Sequence, residues 1–235
     1  MSTALPDRDG SAAVVTLDRR EGPFGEVVLR RRGGHYEIIA NGCFLMDTAD
    51  GRSERLLVAA ALDELDRTGP VAEPSVLIGG LGVGFSLAHA AAEPRWGRIA
   101  VVERESAVVD WHRGGPLAAF SGGALDDPRV EVLSVDLLAY LADGDGARYH
   151  ALCLDVDNGP DWTVTDANAG LYGPDGLALL RHRLEPGGVL AVWSARPSPA
   201  FEEALRAAGF TDVETREIAV ARGVPDVVHL ARRAR

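Results

Sequence analysis

The segment that decides the fold is residues 75–84, SVLIGGLGVG. An apolar run at 76–78 leads into four glycines within six residues, and a helix-forming segment, FSLAHAAAE, follows directly. Glycine accepts positive φ and leaves room for a ligand to approach the backbone. A strand-to-helix junction of this kind also presents unpaired N–H groups at the positive end of the helix dipole. The segment therefore predicts a nucleotide-binding loop in an α/β fold, formed by Gly79, Gly80, Gly82 and Gly84.

The composition describes an acidic globular chain. It has 235 residues, 46% of them hydrophobic, and a formal net charge of −11. This charge disfavours a nucleic-acid partner, because such binding draws its affinity from Lys and Arg against phosphate. No apolar run is long enough to span a membrane and the N-terminus does not resemble a signal peptide, so we expect a cytoplasmic protein without membrane attachment. The two cysteines and six histidines show no metal-type spacing, so no metal is expected.

The first part of the chain predicts a small β-rich region. Short β-type runs fill residues 13–47, with turn signals at Gly33-Gly34 and Asn41-Gly42. Apolar residues at helical spacing then predict a helix over 53–65, with Ser53 as its N-cap. A Thr-Gly-Pro sequence at 68–70 marks the best internal boundary. We therefore expect an N-terminal region, 1–69, of β-hairpins and a linking helix, followed by a second domain at 70–235.

After residue 70 the chain alternates between apolar strands and helices. This rhythm is typical of a parallel sheet covered on both faces, and two final β-type runs joined by a short turn predict an antiparallel end. The fold class is thus a Rossmann-like α/β fold with a mostly parallel seven-stranded sheet and an antiparallel last strand. The loop after Asp155 is about eighteen residues long, which exceeds the usual connection and favours a lid or a binding loop.

Acidic residues follow three of the predicted strands. Ligands of open α/β sheets bind beyond the carboxyl ends of the strands, which directs attention to Glu103, Asp136 and Asp155. Glu103 lies about twenty residues after the glycine loop, where an acid can accept hydrogen bonds from both ribose hydroxyls. An acid there disfavours a 2′-phosphate and hence NADP. The loop also lacks the Gly-Lys-Ser/Thr ending of a P-loop.

From residue 76 to 194 the sequence resembles the S-adenosylmethionine (SAM) binding core of class I methyltransferases, and within them the spermidine synthase (polyamine aminopropyltransferase) family. The matching segments are VLIGGLGVG (76–84), VVERES (101–106), DDPRVEVLSVDLLAYL (126–141), YHALCLDVDNGP (149–160) and LEPGGVLAVWS (184–194). The small N-terminal β region also resembles that family. The resemblance implies a class I methyltransferase fold with SAM or decarboxylated SAM as the cofactor.

The resemblance also assigns roles to individual residues. The four glycines would face the methionine part of the cofactor, Glu103 would hold the ribose, and Asp136 with the Leu137 backbone would contact the adenine. Asp136 could equally cap the next helix. Asp155 would contact the cofactor beside its sulfonium and face the reacting amine, and a carboxylate there can orient an amine and accept its proton. Asn158 either orients the nucleophile or forms an Asx-turn before Gly159.

The long loop supplies the remaining candidates for contact with the substrate. We expect Trp162, Asn168 and Tyr172 to close over it as a lid, with Asp157 on the substrate side, although aromatic residues in a loop often serve packing.

Four positions depart from the family pattern. An aspartate among the glycines is replaced by the Leu81-Gly82-Val83 sequence, and the second acid of a D-x-x-D pair is Asn158. A D-G-x-x-Q turn becomes NGCFL at 41–45, and a Tyr-His-Glu sequence is reduced to Ser53-Glu54. Each lost carboxylate removes a charge-assisted hydrogen bond to a polyamine, worth roughly 1.5–3 kcal/mol. These departures favour methyl transfer over aminopropyl transfer.

The sequence thus predicts a SAM-dependent transferase that moves a methyl group to a small amine-bearing molecule. The alternatives are aminopropyl or aminobutyryl transfer, including cyclisation of SAM, and a non-catalytic SAM-binding protein. A homodimer is compatible with the sequence.

Overall fold

The computed structural model describes residues 13–67, 69–143, 146–163, 168–218 and 224–235. The chain begins with a four-stranded antiparallel sheet whose strands follow chain order. These strands are β1 (Val14–Gly22), β2 (Gly25–Arg32), β3 (His35–Ala40) and β4 (Cys43–Asp47). At the β3–β4 turn Asn41 and Gly42 both have positive φ, 51° and 77°, which a tight hairpin of this length favours. The small antiparallel sheet expected over 13–47 is confirmed.

Helix α1 (Arg52–Asp66) follows, and it begins earlier than the sequence predicted. Its N-cap is Gly51, and Ser53 lies inside the first turn. The prediction of Ser53 as the N-cap was wrong, because its hydroxyl instead donates a hydrogen bond of 2.8 Å to the Asp226 carboxylate. The buried face of α1 belongs to the same core as the larger sheet described next.

A seven-stranded sheet forms the rest of the chain. Its strands are β5 (Ser75–Gly79), β6 (Arg98–Val102), β7 (Val130–Leu133), β8 (Tyr149–Leu154), β9 (Leu184–Ser194), β10 (Phe210–Ile218) and β11 (Asp226–Arg233). Their order is β10-β11-β9-β8-β5-β6-β7. Strands β5 to β9 are mutually parallel, and β11 runs antiparallel to both β9 and β10. The prediction of a mostly parallel sheet with an antiparallel last strand is confirmed.

Helices cover both faces of this sheet. They are α2 (Phe85–Ala92), α3 (Ser106–His112), α4 (Ala118–Ser121), a single 3-10 turn (Ala124–Asp126), α5 (Leu137–Ala142), α6 (Ala169–Tyr172), α7 (Pro174–Arg183) and α8 (Pro199–Ala207). Alternate residues of β5 enter opposite cores: Val76 and Ile78 pack with α1, whereas Leu77 packs with α7. None of the described helices is long and apolar enough to cross a bilayer.

The division at residue 69 stays a prediction. The small sheet has its own hydrogen bonds, but Val27 and Ile38 from it and Leu57 from α1 share one apolar cluster with Val76 of β5. The N-terminal region is therefore packed directly against the larger sheet.

Candidate functional site

A cavity of about 440 Å³ lies beyond the carboxyl ends of the parallel strands, between the two sheets. The glycine loop, the ends of β6, β8 and β9, strand β4 and the start of α1 all contribute to its walls. Most of the residues predicted from sequence line it: Gly80, Gly82, Glu103, Asp136, Leu137, Asp155, Asp157, Asn158 and Asn168.

The glycine loop approaches its neighbours closely at two positions. Gly80 has a φ of 94°, and a Cβ there would lie 2.5 Å from the backbone oxygen of Asp155. At Gly82, with a φ of 49°, a Cβ would lie 2.3 Å from the Sδ of Met46. Any side chain at either position would therefore displace a wall of the cavity. Gly79 packs between leucine side chains and Gly84 lies beside His112, and neither is among the described lining residues.

Glu103 connects the glycine loop to the start of α3. Its Oε2 accepts the Leu81 N–H at 2.9 Å and its Oε1 accepts the Glu105 N–H at 2.8 Å. Burial raises the pKa of Glu103, while these backbone donors oppose the shift. The Gly82 N–H also stabilises this carboxylate. Since a carboxylate can accept about four hydrogen bonds, Glu103 keeps capacity to accept from a ligand hydroxyl as well.

Asp136 is the N-cap of α5, where its side chain accepts the Ala139 N–H at 3.0 Å. The capping alternative considered from the sequence is therefore present in the structure. Asp136 and the adjacent Leu137 also line the cavity, on the side of Glu103. One carboxylate oxygen caps the helix, which leaves the other able to accept from a ligand.

The opposite end of the cavity contains three carboxylates from three different elements. Asp155 follows β8, Glu54 lies in the first turn of α1, and Asp226 begins β11. Burial, reinforced by the charges of Glu54 and Asp226, raises the pKa of Asp155 to about 8. Burial, with Asp50 and Asp226 nearby, raises the pKa of Glu54 to about 7. The Oε2 of Glu54 is buried and has no hydrogen-bond partner among the described residues.

The charge of the lining is strongly one-sided. Nine of the described lining residues are Asp or Glu, and Arg104 is the one Lys or Arg among them. The carboxylates are Asp47, Asp50, Glu54, Glu103, Glu105, Asp136, Asp155, Asp157 and Asp226. A cavity with this lining attracts cations and repels anionic ligands.

The long loop after Asp155 is held to the cavity rim by side-chain hydrogen bonds. The Asn168 amide donates to Asp157 at 2.7 Å and accepts from Arg104 at 3.2 Å. Asn158 lines the cavity, and its backbone oxygen accepts the Ala195 N–H at 3.2 Å. Residues 164–167 of the expected lid lie outside the described residues.

Two of the expected lid residues are placed elsewhere. Trp162 is 58% exposed. Tyr172 is buried in the second core, where its hydroxyl donates to the Val156 oxygen at 2.9 Å and its ring packs edge-on against Phe201. Neither of them is among the described lining residues.

Sequence reasoning missed Asp226. The candidate acids were those that follow a strand, but β11 is antiparallel, so its start lies at the edge where the parallel strands end. The antiparallel last strand was itself predicted, so the acid that opens DVVHLARR could have been included on that ground. Glu54 was noted only as the remainder of a reduced motif, and no pattern in the sequence links it to Asp155.

Comparisons with known proteins found similar sequences and similar folds. No protein-family model matches the chain. It is 32% identical over 206 residues to a polyamine aminopropyltransferase of Corynebacterium efficiens, covering 83% of this chain and 37% of that protein. It is 38% identical over 121 residues to polyamine aminopropyltransferase 2 of Pseudomonas aeruginosa, covering 50% of this chain and 32% of that protein. The chain thus spans about a third of the length of these curated relatives.

Solved structures match over most of the chain. The spermidine synthase of Thermotoga maritima aligns with a TM-score of 0.71 at 15% identity, over 93% of this chain and 73% of that one. A spermidine synthase in complex with the transition-state analogue AdoDATO aligns with a TM-score of 0.75 at 16% identity, over 93% and 74%. The fold is thus shared with these proteins although the sequence identity is only 15% and 16%.

Proposed function

We propose that this chain, which is spermidine synthase-like in sequence and fold, transfers an aminopropyl group from a sulfonium nucleoside to an amine. The names of its relatives favour this reaction, which the sequence offered as the alternative, over the methyl transfer that we expected first. The departures at Leu81 and Asn158 remain, so the proposal has to rest on the cavity itself.

The observation that carries the proposal is the group of three carboxylates at one end of the cavity. Burial raises the pKa of Asp155 and of Glu54, and the charges of the neighbouring carboxylates, Asp226 among them, raise both further. Clustered carboxylates of this kind are stabilised by a cationic ligand that brings ammonium groups among them. Asp226 lies in none of the matching segments, and Glu54 stood only in a reduced motif, so the sequence alone undervalued amine binding.

The other end of the cavity fits the nucleoside of SAM or decarboxylated SAM. Glu103 would hold the ribose hydroxyls, while Asp136 and Leu137 would contact the adenine. The backbone of Gly80 and Gly82 would face the tail that is attached to sulfur. When bound, the sulfonium makes the carbons attached to sulfur electrophilic, so that one of them can be transferred.

Asp155 is the group that we assign to proton transfer. Its backbone lies close to Gly80: a Cβ on that glycine would be 2.5 Å from the Asp155 backbone oxygen. Its carboxylate would orient the amine and accept the proton that the nitrogen loses. In that step the nitrogen bonds to the propyl carbon, the carbon–sulfur bond breaks, and its electron pair remains on sulfur. A raised pKa makes Asp155 a stronger base than an ordinary carboxylate.

The test is a product analysis with both possible donors. The purified protein is incubated separately with SAM and with decarboxylated SAM, each with a panel of mono- and diamines, and the amines are analysed by mass spectrometry. We expect an aminopropylated amine and methylthioadenosine from decarboxylated SAM. A methylated amine formed only from SAM would contradict the proposal. Nucleoside binding without any product would favour the non-catalytic alternative.

A further inference from the structure

We propose that Met46 and His112 are positioning residues for the nucleoside: they hold the middle of the glycine loop in the conformation that a bound nucleoside would meet. This inference rests on the proposed function, because it concerns the nucleoside end of the same cavity. Met46 lies in β4 of the N-terminal sheet and His112 is the last residue of α3. Both therefore reach the loop from elements outside the β5–α2 segment that forms it.

The glycine loop needs such restraint because its backbone is unusually free. Gly80, Gly82 and Gly84 have φ values of 94°, 49° and 94°, all in the left-handed region. Backbone hydrogen bonds fix the two ends of the loop: the Gly80 N–H donates to the Val102 oxygen at 2.9 Å, and the Gly84 N–H donates to the Leu81 oxygen at 2.9 Å. If the middle is also held before a ligand arrives, less entropy is lost on binding.

Met46 holds the loop from the side of the cavity, whose wall it helps to form. Its Sδ accepts the Val83 N–H at 3.2 Å, and the same sulfur lies where a Cβ on Gly82 would collide with it. Val83 is fully buried, so a side chain without an acceptor at position 46 would remove the partner of a buried N–H. A buried donor that loses its partner destabilises the conformation that buries it.

His112 holds the loop from the side away from the cavity. It is 4% exposed and is not among the described lining residues. Its Nε2 lies 2.9 Å from the Gly82 oxygen, and since a carbonyl only accepts, the ring donates its Nε2–H to that oxygen. The ring also packs against Gly84, where a Cβ would lie 2.7 Å from the His112 Cε1. Gly82 is thus fixed between a thioether and an imidazole.

The experiment compares, at each position, a substitution that removes the hydrogen bond with one that keeps it. Met46→Leu removes the acceptor and His112→Leu removes the donor. Met46→Gln and His112→Gln each keep an amide, which can accept from Val83 or donate to Gly82. His89→Leu is the control, because His89 is a partly buried histidine of α2 outside the described lining.

Two measurements are made on every variant. Calorimetry gives the affinity for methylthioadenosine and for a diamine, and hydrogen exchange followed by mass spectrometry reports the protection of residues 79–84 in the free protein. We expect each leucine variant to lose about threefold to tenfold in methylthioadenosine affinity and to exchange faster in the loop, with diamine affinity within about twofold. The glutamine variants and His89→Leu should stay within about twofold of the wild type for both ligands.

A purely structural role predicts a different pattern. The leucine and glutamine variants would then unfold at lower denaturant concentration and weaken both ligands together. That pattern would overturn the inference, and so would unchanged methylthioadenosine affinity in both leucine variants.

Product analysis separates this inference from the proposed function. If methylthioadenosine binding follows the expected pattern while no aminopropylated amine forms, the inference stands and the proposed reaction fails. If the amine is aminopropylated and both leucine variants bind methylthioadenosine as tightly as the wild type, the reaction stands and the inference fails. A wild type that binds no methylthioadenosine would overturn both.

Discussion

The two ends of the cavity differ in how the chain builds them. The end that we propose for the nucleoside comes from consecutive parallel strands and the loops after them, with Gly80, Gly82, Glu103 and Asp136 in chain order. The end that we propose for the amine joins Asp155 to a helix from the N-terminal region and to the start of the antiparallel last strand. The first is local and follows a motif, whereas the second is assembled by tertiary packing.

This difference shows why motif losses need not mean loss of amine binding. Asn158 and Leu81 stand where the resembling family has acids, yet Glu54 and Asp226 bring carboxylates to the same cavity from elsewhere. A charge requirement can be met from any element that reaches the cavity, while a nucleoside needs several donors and acceptors at set positions.

The largest expected effect is that of Asp155→Asn. Removal of the proton acceptor should lower kcat/KM by about 10²–10⁴-fold, because general-base catalysis contributes that much. Nucleoside affinity should change by about twofold or less, since Asp155 belongs to the amine end. Calorimetry for binding and steady-state kinetics for turnover check both. A comparable loss of nucleoside affinity would show that the two ends are not separate.

The pH dependence of stability gives the next largest effect. Asp155 and Glu54 have folded-state pKa values of about 8 and about 7, above the ordinary values near 4. The folded state therefore holds more protons than the unfolded state, and the free energy of unfolding falls as pH rises toward the folded pKa values. Burial lowers the pKa of His89, His112 and His229, so their contribution rises with pH and is complete by about pH 7.

Chemical denaturation at pH 7 and at pH 8.5 isolates the carboxylates. We expect the wild-type protein to lose about 1–2 kcal/mol over this interval, and Asp155→Asn to lose about 1 kcal/mol less. A diamine should restore the stability of the wild type at the higher pH. Identical losses in both proteins would contradict the assignment of the raised pKa to Asp155.

The smallest expected effect is that of Trp162→Ala. Its side chain is largely exposed and outside the described lining, so kcat/KM should stay within about twofold. The sequence favoured Trp162 as a lid residue, and a tenfold loss in the same assay would restore that role and extend the amine end into the loop.

The residues of the nucleoside end could be predicted from the sequence, because the patterns that indicate them are local. Glycines that admit positive φ, and acids that follow apolar strands, lie within short segments, and the mostly parallel sheet follows from the alternation of strands and helices. Tyr172 shows the limit of such patterns. From sequence, an aromatic residue in this segment is equally compatible with a lid and with the core, and the structure shows that its ring packs against Phe201 in the core. Likewise, Asp226 and Glu54 are 172 positions apart in a sequence that gives no sign of their meeting.

The most direct test of the two-ended cavity is a titration of two ligands against two variants. Methylthioadenosine and a diamine are each titrated by calorimetry into the wild type, Glu103→Gln and Asp226→Asn. We expect Glu103→Gln to lose about tenfold or more in nucleoside affinity and little in diamine affinity, and Asp226→Asn to show the reverse. Variants that weaken both ligands equally would contradict the division of the cavity into a nucleoside end and an amine end.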